Sequence, residues 1–346
     1  MRRWAEATAV PVPGWMDRLS SAIAESRVSE PAVYGVAWLA VFALITAVQW
    51  PTYEVKALYP LHAVLAAGVV LPVYLARIFN SSAGAAMRRV RPLLAIDDAE
   101  AATLTAALKS TPVVLELVVT AFWLGVTALR IRFDPSSAVT INLSFVGGPG
   151  VVAVILVGAF VISIAALGVK IAYMGWTISH IPQRQLSVSL WELGPLHGFS
   201  VLTAQFAGSL IALAAAIYAA RPSLLSDQLG IAAGLFGVFF AAAVFVVPLV
   251  GIHDRLVAEK GRLRGEAART MEAAVKGLHA SIKAGDLAAM DAHYKAVAAI
   301  EIEMRTLSSI PTWPWLPDTF RWVVGALTLP FVLLVIQLVL TRTSGG

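Results

Sequence analysis

The chain has 346 residues, of which 58% are hydrophobic and 14% charged, with a mean hydropathy of +0.78. Soluble domains carry about 25% charged residues, so these values exclude an ordinary soluble protein. The absence of cysteine excludes disulfides, thiolate metal sites and cysteine nucleophiles, and the net charge of +5 gives no reason to expect nucleic acid as a partner.

Residues 1–32 are polar and mixed in charge, with no apolar core of a signal peptide. Seven apolar stretches follow, at 33–50, 59–79, 112–130, 149–178, 198–220, 229–252 and 319–341. A helix needs about twenty apolar residues to cross roughly 30 Å of hydrocarbon, and these stretches are that long or nearly so. The expected fold is all-α, a polytopic membrane protein with seven transmembrane helices. Its divisions are a cytoplasmic N-terminal segment over 1–32, six spans over 33–252 with a helical inner loop at 80–110, a cytoplasmic helical hairpin over 253–310, and the seventh span with a short outer tail over 311–346.

Lysine and arginine set the expected orientation. With the N-terminus inside, the inner segments hold 20 basic residues and the outer ones 5, and Lys170 falls within a span. The N-terminus is therefore expected in the cytoplasm and the C-terminus outside, in the cell (inner) membrane.

Three polar residues interrupt the spans at similar depth. Glu116 stands one turn past Pro112, Lys170 about two turns from the inner end of span four, and Gln205 about two turns from the inner end of span five. A carboxylate costs about 2.5–3.5 kcal/mol at the centre of a membrane helix even on insertion scales. Three readings stay open: Lys170 and Glu116 each reach the hydrated interface; the three form one polar layer with Glu116 and Lys170 as a buried ion pair; or the layer serves an ion pathway.

In span six, Gly230, Gly234 and Gly237 form a small-residue face for close helix contact. The loop 180–200 holds His180, Glu192 and His197, but at no spacing that binds a metal, and no catalytic or phosphate-binding motif appears; neither an enzyme nor a cofactor is expected.

Beyond span six the pattern becomes amphipathic. Leu256, Leu263, Met271, Val275, Leu278 and Ile282 mark one helical stripe, and Leu287, Met290, Tyr294, Val297, Met304 and Leu307 a second. Gly285 suits the end of the first helix and Asp286 the N-cap of the next. The hairpin either packs on itself and the inner loops or serves as an oligomerisation platform. His253, His279 and His293 are expected to face water. Pro311, Trp313, Pro314, Trp315 and Pro317 then stop the hairpin and re-aim the chain, with the tryptophans at the inner interface.

The last span contains "PFVLLVIQL" at 330–338, in which Pro330 removes a backbone bond and Gln337 is the sole polar side chain. The spacing of Phe331, five apolar residues, Gln337 and Leu338 resembles the last-span signature of insect gustatory and odorant receptors, seven-span ligand-gated cation channels of the same orientation. Only the glutamine is identical, and proline stands where that signature has threonine. The resemblance covers nine residues, the topology and the large inner segment before span seven. It implies a homotetramer whose last spans line a pore. Pore-lining candidates on one helical face are Phe331, Leu334, Gln337 and Leu338. The expected function is an oligomeric ion channel with a mainly apolar wall, embedded in the lipid bilayer and open to a small ligand. A non-conducting scaffold or sensor acting through the hairpin is the alternative, followed by a small-molecule transporter.

Overall fold

The computed structural model describes residues 11–26, 28–52, 58–133, 147–181, 190–191, 193–221, 224, 228–328 and 332. These residues fold as helices: α1 (Trp15–Ala24), α2 (Glu30–Gln49), α3 (Pro60–Val90), α4 (Asp98–Lys109), α5 (Val113–Phe133), α6 (Gly147–His180), α7 (His197–Ala220), α8 (Gln228–Ala284) and α9 (Leu287–Ser309). A further helix, α10, covers 317–328. Six of the described helices are long and apolar enough to cross a membrane, which makes the chain an integral membrane protein by length and composition. The expected seventh span is described only in its first part, as α10; the candidates Phe331, Leu334, Gln337 and Leu338 lie outside the described residues.

Four helices build the core. α3 packs on α6 and α7, and α8 packs on the same two. Within this core Phe79 meets Phe206 edge to face with centroids 4.8 Å apart. Ala76, Ala83, Ile171, Met174, Ile178 and Phe245 belong to the same buried cluster. Glycine and proline set the closest approaches: Pro248 of α8 sits where a methyl on Gly175 would stand, at 3.0 Å. Tyr218 of α7 donates to the Gly230 carbonyl at 2.5 Å and lies over Gly234, so these two glycines of the small-residue face do meet a neighbouring helix; among the described residues a methyl on Gly237 would meet nothing within 4 Å.

α2 and α5 are peripheral. Only 11% and 12% of their apolar windows are buried, and α5 turns Val114, Leu117, Val118 and Phe122 outward. In a bilayer such faces are solvated by acyl chains, so the exposure has no cost.

Span six and the first hairpin helix are one element. α8 runs 57 residues, about 85 Å, without a break. It ends at Gly285, whose φ of +69° is the left-handed turn that glycine takes without strain. The Asp286 carboxylate then accepts from the Ala288 and Ala289 amides at 3.1 and 3.0 Å and starts α9. The hairpin packs on itself along part of the expected stripe. Of the stripe, Leu256 and Leu307 are buried, but Ile282, Leu287 and Tyr294 are exposed, while Ile300, outside the expected stripe, is buried. The difference lies at the tip, where His293 takes the contact that Tyr294 was expected to make and stands over Gly277.

His253 likewise does not face water. It stacks on Trp313 at 4.0 Å, Trp313 stacks on Trp315 at 4.2 Å, and Trp315 packs on Phe245 and Phe320. The Lys260 ammonium donates to the Ser308 and Ile310 carbonyls, satisfying the C-terminal end of α9. The proline-rich corner is thus fixed to the middle of α8 by a column of rings and a lysine cap.

Candidate functional site

The first polar residues of the chain provide what the spans lack. Gly14 donates to the Thr111 carbonyl at 2.9 Å, and Val113 donates to the Val12 carbonyl at 3.1 Å. These two bonds tie the start of α1 to the link between α4 and α5. From there α1 lies against α3 and buries Met16, Asp17 and Ser20.

Asp17 is the centre of the cluster. One carboxylate oxygen accepts from the Lys170 ammonium at 2.5 Å and from the Asn80 amide at 3.2 Å, and the other accepts from the Thr111 amide at 2.9 Å. Lys170 also donates to the Lys109 carbonyl at 3.0 Å. The ammonium is 1% exposed and the carboxylate 7%, so the pair is sheltered from water. A buried pair holds when further hydrogen bonds satisfy its remaining donors and acceptors, and three groups supply them here: Asn80 of α3, Thr111 of the α4–α5 link and the Lys109 carbonyl at the end of α4.

Glu116 completes the site differently. It is 2% exposed and enters from the first turn of α5. Its carboxyl lies over Gly14, where any side chain would overlap its Oε2, beside the backbone N–H groups of Trp15 and Met16. Among the described residues neither oxygen has a hydrogen-bond partner of ordinary geometry. With Glu116 protonated the cluster is electroneutral; with Glu116 ionised it carries one net negative charge.

Of the expected polar layer, Lys170 and Glu116 do come together, but the ion-pair partner of Lys170 is Asp17. Gln205 stands apart. With Val201, Ala204, Thr319 and Trp322 it lines a recess of about 290 Å³ between α7 and α10. Sequence reading missed Asp17 because residues 1–32 read as one polar segment. The signal was present: Gly14, an acid in the first turn, and apolar Trp15, Met16, Leu19 and Ile23 mark a short amphipathic helix. Its pairing with a residue 153 positions away has no sequence signature. In the loop 180–200, His180 bonds locally to the Trp176 carbonyl, and Glu192 lies outside the described residues. Among the described residues no group of three His, Cys, Asp or Glu is gathered to hold a metal.

No protein-family model, curated protein or solved structure matches this chain.

Proposed function

We propose that the chain conducts small cations across the membrane, with the Glu116 carboxyl as the cation site and α1 as the seal on the hairpin side. The observation that supports this most is Glu116 itself. It is a buried carboxyl one turn into a membrane helix, with no ion-pair partner of its own among the described residues and only the Trp15 and Met16 N–H groups of α1 beside it. Ionisable groups are held in membranes at a cost of about 2.5–3.5 kcal/mol, and where they occur they commonly mark proton and ion paths. The structural task open to such a group, closing an ion pair with Lys170, is already performed by Asp17. A carboxyl without that task is available to take up and release a cation, the proton being the smallest. The cytoplasmic N-terminus, the inner-membrane location and a ring of seventh helices walled by Phe331, Leu334, Gln337 and Leu338 belong to the proposal on sequence pattern alone.

The test is flux in liposomes holding the purified full chain and a pH-sensitive dye, with the membrane potential clamped. Glu116→Gln keeps the shape of the side chain and removes its titration. The expected result is proton flux reduced at least tenfold, with unchanged yield and melting temperature. Flux equal to wild type removes Glu116 from the path. No flux of protons, sodium or potassium through the wild-type chain sinks conduction itself.

One observation favours a second reading, a non-conducting sensor. α8 continues from the bundle to the hairpin tip without interruption, and the His253–Trp313–Trp315 column ties the returning chain to it. Displacement at the tip would reach the membrane helices through rigid elements.

A further inference from the structure

The hairpin end of the bundle carries its positive charge unevenly. Two arginines of this region have acidic partners: Arg77, in the middle of α3, meets Glu30 at 3.2 Å, and Arg91, just past its end, meets Asp98 at 2.8 Å. The other nearby acids are also engaged. Asp17 holds Lys170, and Asp97 caps α4 by accepting from the Glu100 amide. Arg88 and Lys109 have no carboxylate partner among the described residues.

These two cations converge nevertheless. From the point where a methyl on Gly84 would stand, Lys109 Nζ is 2.9 Å away and Arg88 Nη1 3.6 Å. Each closes a helix, Arg88 in the last turn of α3 and Lys109 at the end of α4. The helix dipole explains a cation at each terminus. It does not explain why both heads turn to one point, where like charges repel. Gly84 has no side chain, so the Lys109 side chain can lie directly across it, with Cε and Nζ both 2.9 Å from where a methyl would stand, and Arg88, one turn on in the same helix, reaches its edge. A guanidinium offers a fork of N–H donors and an ammonium a compact charge, the combination that holds phosphate oxygens.

We infer that Arg88 and Lys109, meeting over Gly84, form a binding site for a phosphate group. Its source is either the headgroup of an anionic phospholipid or a free soluble phosphate. The site borders the polar cluster through Lys109, whose carbonyl accepts from Lys170 while its ammonium faces the anion. The inference does not rest on conduction, since it concerns charges outside the Glu116 site.

The experiment is native mass spectrometry of the delipidated full chain, titrated with phosphatidylglycerol or with phosphatidylcholine, and repeated with inorganic phosphate as competitor. Each basic side chain near an anionic surface is worth about fivefold in binding, so Arg88→Gln with Lys109→Gln is expected to weaken phosphatidylglycerol about 30-fold. Arg88→Gln alone, on an exposed side chain, is expected to cost about fivefold. Arg264→Gln with Arg269→Gln removes the same charge from the exposed hairpin and is expected to change affinity less than twofold. Loss of phosphatidylglycerol that inorganic phosphate cannot reproduce by competition identifies the headgroup. Competition at millimolar phosphate identifies a soluble phosphate. Equal affinities of the double variant and its control overturn the site, as does a wild-type chain that prefers neither anion over phosphatidylcholine. Should the double variant fail to purify, Arg88→Gln decides, and a change under twofold overturns the site.

Discussion

The polar cluster in the bundle and the charged surface of the hairpin use the same residue types to opposite effect. The hairpin carries Arg262 with Glu259 and Glu266, Lys276 with Glu272, Lys295 with Asp291 and Arg305 with Glu301, every pair three or four residues apart on its own helix. Such pairs support the helix that bears them and say nothing about what it packs against. The bundle holds the Asp17–Lys170 pair, 153 residues apart and sheltered from water. That pair fixes which helices meet. Burial, not the number of charges, separates a contact that specifies the fold from one that decorates it.

The largest test of this contrast is Lys170→Met. It leaves the Asp17 carboxylate buried without its cation, and removal of one partner from a buried pair costs about 3–5 kcal/mol. A marked fall in melting temperature in detergent is expected, together with release of α1, seen as faster hydrogen exchange over residues 15–24. Asp17→Asn combined with Lys170→Met removes both charges and should be milder than the two single changes together, with a coupling energy of about 0.5–3 kcal/mol. A single variant within about 1 kcal/mol of wild type would show that α1 is held by its apolar face and its two backbone bonds alone.

A middle-sized effect belongs to the hairpin tip. Asp286→Ala removes the side chain that accepts from the Ala288 and Ala289 amides, and loss of an N-cap costs about 1 kcal/mol. Exchange should quicken across the first turn of α9 and stay unchanged in α1. Equal acceleration in both places would mean that hairpin and bundle unfold as one unit, and the contrast between them would fail.

Local features were legible in the sequence and distant pairings were not. Hydropathy located the six described spans to within a few residues at most ends, because each span must satisfy its own backbone within lipid. Gly285 and Asp286 announced the hairpin turn, because glycine's left-handed freedom and aspartate's N-capping act over two or three residues. The extension of α3 to Val90 had no signal of its own, whereas span six feeds directly into the hairpin helix in the sequence as in the structure, and Pro248 lies inside α8 without ending it. Glu116 and Lys170 stood out as charges among apolar residues. Their partner did not, because Asp17 is an ordinary acid in a polar segment until α1 docks. His293 and Tyr294 show the same limit: neighbours in sequence about 100° apart on a helix, they exchanged places at the tip because Gly277 leaves room for the imidazole.

The smallest expected effect is the most useful for the hairpin. Glu272→Gln removes the partner of Lys276, and both side chains are mostly exposed, at 66% and 75%. Water and salt already screen such a pair, and an i,i+4 contact contributes about 0.3–0.5 kcal/mol. Melting temperature in detergent should barely move, and what movement there is should vanish in 0.5 M salt, where the screening length falls to about 4 Å. This holds only if the outer face of the hairpin meets solvent. If it meets a second copy of the chain, the pair is buried in the assembly and its loss leaves a lysine without a counterion at an interface. The cost would then exceed about 1 kcal/mol, resist salt and depend on protein concentration. A near-zero value therefore assigns the hairpin to self-packing, and a large concentration-dependent one to an oligomerisation platform.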